Sequence, residues 1–140
     1  MIRLVLSVLA FLALAAWWPG WHQAEQPLGQ AVDPAAFVAQ TEAFAARYQR
    51  GERVEAPAGE VPLLARKFEF WPDVKLQPDH SYRLRIMAQD SVHSVAVNGV
   101  ELLLVPGFVQ DIDVSPGDQL ELRCNEYCGL GHNRMRLKLY

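Results

Sequence analysis

The chain's metal-binding chemistry is concentrated in Cys124-Asn125-Glu126-Tyr127-Cys128-Gly129-Leu130-Gly131-His132-Asn133-Arg134-Met135, which holds both cysteines, a histidine and a methionine within 12 residues. Thiolate, imidazole and thioether together are a copper set, whereas zinc takes thiolates and imidazoles but seldom a thioether, so Met135 argues against zinc. A mononuclear blue-copper site needs one Cys, two His and a weak axial Met. Here a second thiolate stands four residues before the usual single one. Two thiolates can each bridge two metals, so the expected content is a pair of coppers about 2–3 Å apart. Such a pair needs a second imidazole, and His22, His80 and His93 are the candidates. His22 falls in a linker and His80 in the Pro78-Asp79-His80 turn; both read as surface histidines. His93 heads an apolar-alternating run, Val92–Val97, which a sandwich could bring beside the ligand loop, and it is the choice. A rigid frame around such a pair limits ligand movement on redox. With no open coordination position and no general acid or base nearby, the site should pass electrons without making or breaking substrate bonds.

The elements that must position these residues are short strands. Tyr82, Leu84 and Ile86 alternate with Arg83, Arg85 and Met87; Met87 reads as packing. Val95 and Val97 lead to Asn98-Gly99, a hairpin signal. Ile112 and Val114 alternate with Asp111 and Asp113, Leu120 and Leu122 with Gln119 and Glu121, and Leu137 and Leu139 with Arg136 and Lys138. Turn signals every 8–12 residues or so indicate an antiparallel sandwich or barrel over residues 61–140. Cys124 and Met135 then lie where two of its strands end and begin, and Gly129 and Gly131 let the loop between them fold tightly.

Upstream, residues 19–60 read as linker containing one helix near 34–50. Asp33-Pro34 is an N-cap followed by proline at the first helical position; Phe37, Thr41, Phe44 and Tyr48 recur at helical spacing, and Gly51 is a stop. Its aromatic stripe reads as packing. Residues 1–18 are apolar except for Arg3 and Ser7. They read as a transmembrane anchor or, alternatively, a signal peptide with Ala13-Leu14-Ala15 as its cleavage site. Trp17, Trp18 and Trp21 suggest an interfacial belt, and Arg3 places the rest of the chain on the exported side.

Composition narrows the classes. With 140 residues the chain has room for one domain; its 51% hydrophobic content argues against disorder, and its net charge of −3 against a basic nucleic-acid-binding module. Two cysteines do not make a disulfide-dense scaffold, though one bridge between Cys124 and Cys128 remains an alternative, which would leave His132 and Met135 unexplained. A thioredoxin-like copper chaperone would carry its motif early and before a helix, whereas here 12 residues follow Cys128.

The segment resembles C-x-x-x-C-x-x-x-H-x-x-M, the binuclear CuA loop of cytochrome c oxidase subunit II. Gln89-Asp90-Ser91-Val92-His93-Ser94-Val95 is similar to that family's first-histidine segment, and the likeness covers roughly residues 61–140. The short leader most resembles the single-span form found in B-type haem-copper oxidases. The resemblance implies an all-β, cupredoxin-like Greek-key sandwich on one N-terminal transmembrane helix, with a short amphipathic helix in the linker. It implies that Cys124 and Cys128 bridge two coppers, that His93 binds one with Met135 as weak ligand, and that His132 binds the other with the main-chain carbonyl of Glu126. It further implies an electron-transfer subunit that accepts electrons from cytochrome c and passes them to haem in catalytic subunit I. Such a subunit lies in the bacterial cytoplasmic membrane with its copper domain on the periplasmic side. A stand-alone exported CuA-type carrier is the competing reading, and a quinol oxidase subunit would lack the copper ligands.

Two surface features belong with this reading. Phe68, Phe70 and Trp71 form an aromatic stretch near the place where family members admit electrons. Between Ile86 and Leu122 there is no Lys or Arg, yet Asp90, Glu101, Asp111, Asp113, Asp118 and Glu121 are acidic. Asp111 and Asp113 are the expected docking residues for a basic cytochrome c.

Overall fold

The computed structural model describes residues 2–17, 28–115 and 120–140. In chain order the elements are α1 (Ile2–Trp17), β1 (Gln30–Ala31), α2 (Pro34–Tyr48), β2 (Gln49–Arg50), β3 (Arg53–Glu55), β4 (Gly59–Arg66), β5 (Glu69–Trp71), β6 (Val74–Lys75), β7 (Tyr82–Ala88), β8 (His93–Val97), β9 (Val100–Leu104), β10 (Phe108–Val114), β11 (Glu121–Arg123) and β12 (Arg136–Lys138), with a 3₁₀ turn at His132–Arg134.

The strands form three sheets, ordered β1-β10-β7-β4-β5, β12-β11-β8-β9 and β2-β3-β6. The β4–β7 and β3–β6 pairs are parallel and the rest antiparallel. Alternation explains the core: Val61, Leu63, Ala65, Leu84 and Ile86 from the five-stranded sheet meet Val95, Val97, Leu122 and Leu137 from the four-stranded sheet in one buried cluster. The expected hairpin turns at Asn98 (φ 48°) and Gly99 (φ 77°), both in the left-handed region that a two-residue type I′ turn demands.

Period two fails on the other face of the five-stranded sheet, where Leu64 and Met87 are also fully buried. The reason is α2. Asp33 caps it by accepting the Ala35 and Ala36 N–H groups (2.8 and 3.1 Å), and Phe37 packs with Leu64, Met87 and Val109. The helix expected near 34–50 is therefore a second covering layer and ends two residues early, at Tyr48.

The upstream segments read as linker are structured in part. β1 pairs with β10 through Gln30–Val109 and Ala31–Phe108. β3 lies within the segment 52–60 and β4 begins there. Arg53 locks this region to the chain's last strand: its Nε meets Asp73 at 2.9 Å, and its guanidinium donates to the carbonyls of Val74, Tyr140 and Lys138.

α1 carries exposed Ile2, Leu4, Leu9 and Phe11, yet no helix among the described residues is long and apolar enough to cross a membrane. Its 16 residues rise about 24 Å against a hydrocarbon core of roughly 30 Å. The expected span over residues 1–18 includes α1 and runs past the described residues at both ends. Trp18, Trp21, His22 and residues 116–119, Asp118 among them, lie outside the described residues.

Candidate metal centre

Three chain segments converge at one end of the four-stranded sheet. β8 begins at His93, β11 runs into Cys124, and Met135 leads into β12. The loop between the last two is closed at its base by Cys124 N–H donating to the Met135 carbonyl (3.1 Å). Inside it, His132, Arg134 and Met135 N–H groups donate to the carbonyls of Gly129, Gly131 and His132 (3.0, 3.0 and 3.1 Å). Backbone bonds therefore fix the spacing of the ligating side chains before any metal is considered.

The donor atoms form a chain. His93 Nδ1 lies 3.9 Å from Cys124 Sγ, which lies 3.9 Å from Cys128 Sγ; Cys128 Sγ is in turn 3.9 Å from His132 Nδ1 and 3.8 Å from Met135 Sδ. The Glu126 carbonyl is 3.3 Å from Cys124 Sγ. Both thiols are free and buried, His93 and Met135 are fully buried, and His132 is half-buried. A disulfide needs about 2.05 Å between sulfurs, so at 3.9 Å the alternative bridge is not formed. Ligand atoms of His93, Cys124 and Cys128 all lie within 4.8 Å of one another, close enough to hold a metal ion, and His132 stands outside that triangle.

Burial, then the neighbouring Cys124, pushes the Cys128 thiol up to about 11 in the metal-free protein. Asp90 shows the opposite balance. Burial would raise its carboxyl, but hydrogen bonds from His93, Lys67 N–H and Ser91 N–H hold it below the usual range.

Two residues that the motif does not contain shape the centre. Ser94 Oγ, buried, accepts the N–H groups of Asn125 (2.8 Å) and Glu126 (2.9 Å), pinning the start of the ligand loop to β8. Asp90 Oδ1 lies 2.7 Å from His93 Nε2. Both flank His93 in sequence; a polar residue one or three positions from a buried ligand was the available signal.

The aromatic stretch is divided by the fold. Phe68, 37% exposed, lies over the ligand loop so closely that a Cβ on Gly129 would meet its ring at 3.1 Å. Phe70 is a core residue, and Trp71 is half-buried beneath the Arg66 guanidinium, 4.7 Å from its ring centroid. Of the three, Phe68 touches the loop that carries the ligands.

Asp111 and Asp113 stand on the five-stranded sheet opposite Arg85 and Arg83, with Nε–Oδ1 distances of 3.3 and 2.8 Å. The Arg83 hydrogen bond holds the Asp113 carboxyl below its usual range. Asp111 and Asp113 are therefore each matched by an arginine of the neighbouring strand β7. Arg83 lies five residues before Ala88, about 17 Å along β7 from the end that leads to His93. His80 is exposed, its ring edge-on to Tyr82 at 6.2 Å.

No family model matches the sequence, and no curated protein matches it. Solved structures do. A chain of a heme-copper terminal oxidase dimer, determined by cryo-electron microscopy, aligns at 20% identity over 99% of this chain and 92% of its own, with a TM-score of 0.55. The periplasmic domain of subunit II of cytochrome oxidase from Bradyrhizobium japonicum aligns at 15% identity over 57% of this chain and 80% of its own, with a TM-score of 0.50. At these identities the likeness is one of fold, and that fold is subunit II-like.

Proposed function

We propose that the chain is the electron-accepting subunit of a terminal cytochrome c oxidase and holds a binuclear copper centre. One observation carries this reading. Two buried, unbonded sulfurs 3.9 Å apart are flanked by an imidazole at each end, His93 beside Cys124 and His132 beside Cys128.

The residues fit such a centre. Thiolate, imidazole and thioether donors gathered at one buried place are a set that would hold copper. The two sulfurs, 3.9 Å apart and unbonded, are both free to serve as ligands. A single tetrahedral ion accepts a similar sulfur spacing, but all its ligand atoms must then lie within about 4.6 Å of one another. His93, Cys124 and Cys128 lie close enough to hold one ion, and His132, 3.9 Å from Cys128 Sγ, would serve the second.

When bound, the copper pair supplies one-electron transfer with the charge shared over both ions. The chain's residues do the rest. Cys124, Cys128, His93 and His132 would hold the pair, with Met135 Sδ and the Glu126 carbonyl as weaker ligands. Loop hydrogen bonds and the two flanking strands hold these atoms still, so little has to move when an electron arrives. In this reading electrons come from cytochrome c over the Phe68 side and leave to haem in a catalytic subunit I. The exposed apolar face of α1 calls for a cover, and lipid of a bacterial cytoplasmic membrane is the proposed one, with the copper domain on the periplasmic side.

The test is electron paramagnetic resonance of the copper-loaded full chain. A seven-line mixed-valence pattern supports the pair; a four-line pattern means one ion and overturns it. Purification from membranes together with a haem-containing chain supports the oxidase assignment, and purification alone favours the free-standing carrier.

A further inference from the structure

The copper reading does not use the carboxylate behind His93. The His93 side chain is wholly buried, and its Nε2 lies 2.7 Å from Asp90 Oδ1, within an Asp90 side chain that is one-third exposed. Asp90 Oδ1 also accepts the Ser91 N–H (2.7 Å), and Oδ2 accepts the Lys67 N–H (2.8 Å). An ionised carboxylate can only accept, so the hydrogen in the Asp90–His93 contact belongs to Nε2. The neutral ring then carries no hydrogen on Nδ1, the nitrogen that faces Cys124 Sγ. A carboxylate on the far nitrogen also makes the ring a stronger donor. The same carboxylate grips the peptide just before Phe68, whose ring packs on Gly129 and Gly131 of the ligand loop.

We propose that Asp90 is the positioning residue of this centre. It fixes His93 as the Nε2–H tautomer, strengthens Nδ1 as a metal donor, and holds the Lys67–Phe68 turn against the ligand loop. The inference rests on the copper reading for the identity of the metal, but its tautomer claim does not.

The experiment has a metal-free arm and a copper arm, both on the full chain. In the metal-free protein, nitrogen-15 correlation spectra of the His93 ring should show Nε2 protonated and Nδ1 bare. Asp90→Asn, nearly isosteric, should blur this preference because an amide both donates and accepts; Asp90→Glu should restore it. In the copper arm, Asp90→Asn should weaken copper binding about 10–100-fold. Losing the negative charge should weaken the oxidised form more than the reduced one, raising the reduction potential by about 59 mV for each tenfold difference. A purely structural carboxylate would leave the potential of the folded, loaded variant unmoved.

A wild-type ring protonated on Nδ1 overturns the proposal, and so does an Asp90→Asn protein with unchanged tautomer, affinity and potential. Should Asp90→Asn fail to fold, the wild-type tautomer and the Asp90→Glu protein still decide. Should the wild type bind no copper pair, the copper reading fails and the metal-free arm alone decides the role of Asp90.

Discussion

Replacing Gly131 by alanine tests whether the Phe68 ring is a working clamp on the ligand loop. Gly131 has φ −98° and ψ 1°, a backbone open to alanine, so the substitution carries no conformational penalty of its own. The added methyl would lie 2.8 Å from Phe68 Cε2 and closer still to Cγ and Cδ2. Carbon atoms rest at about 3.5–4.0 Å, so the ring must retreat by about 1.3–1.8 Å or swing out into water. Overpacking of this kind costs about 1–3 kcal/mol. The swing sets a ceiling: exposing about 100 Å² of apolar ring costs about 2.5 kcal/mol. The penalty of Gly131→Ala is therefore expected between about 1 and 2.5 kcal/mol, never above that of Phe68→Ala. In a Phe68→Ala background the three nearest atoms to the methyl are gone, and its penalty should shrink or become a gain of about 0.4–1 kcal/mol through the stiffer unfolded chain. Urea unfolding of wild type, both single variants and the double variant measures the coupling. An equal penalty with and without the Phe68 ring would refute the clamp.

Other substitutions probe the frame. Ser94→Ala removes the acceptor of two loop N–H groups and should cost about 1–3 kcal/mol in chemical unfolding, while a neutral result would mean that the loop holds itself. Arg53→Ala should cost about 2–3 kcal/mol by releasing Asp73 and the last strand, with Arg53→Lys recovering less than half because an ammonium cannot span the carbonyl set. With its thiol raised from 9.0 to about 11, metal-free Cys128 should hold about 100-fold less thiolate at pH 7 than an ordinary cysteine. Its alkylation should therefore climb about tenfold per pH unit until near pH 11, and a plateau near pH 9 would contradict the burial argument. Because each ligand thiol must lose that proton to bind, metal affinity should fall as pH falls, with protons released on loading and detectable by weakly buffered calorimetry.

The clustering of the candidate ligands was legible in the sequence because spacing within one loop survives folding: Cys124, Cys128, His132 and Met135 are near in space since they are near in the chain. His93 was legible for a weaker reason, its place at the head of an alternating strand. What was not legible depends on register and layering. Nothing local says that Asp111 faces Arg85 or that Asp113 faces Arg83; that follows from how β10 meets β7. Leu64 and Met87 break the two-residue alternation only because α2 covers the outer face. β1, β2 and β6 have two residues each, too few to carry a periodicity, and exist because a neighbouring edge recruits them. Phe68 and Phe70 look equivalent in sequence and part company because one falls in a turn and the other in β5.

The clamps share a feature that bears on function. Ser94 holds the loop where Cys124 leaves β11, Phe68 covers it at Gly129 and Gly131, and Asp90 joins the Phe68 turn to His93. These contacts come from two separate stretches of chain, one at 67–68 and one at 90–94, yet each reaches a candidate ligand or the peptide beside one. Two imidazoles and two thiolates could be assembled by a flexible loop, and such a loop would bind copper. It would also rearrange whenever the charge changed, and that rearrangement is the barrier an electron-transfer centre must avoid. The investment in holding atoms that are not ligands therefore argues for a centre selected for fast electron exchange over one selected for storage or delivery of the metal, where a loop that opens would serve better.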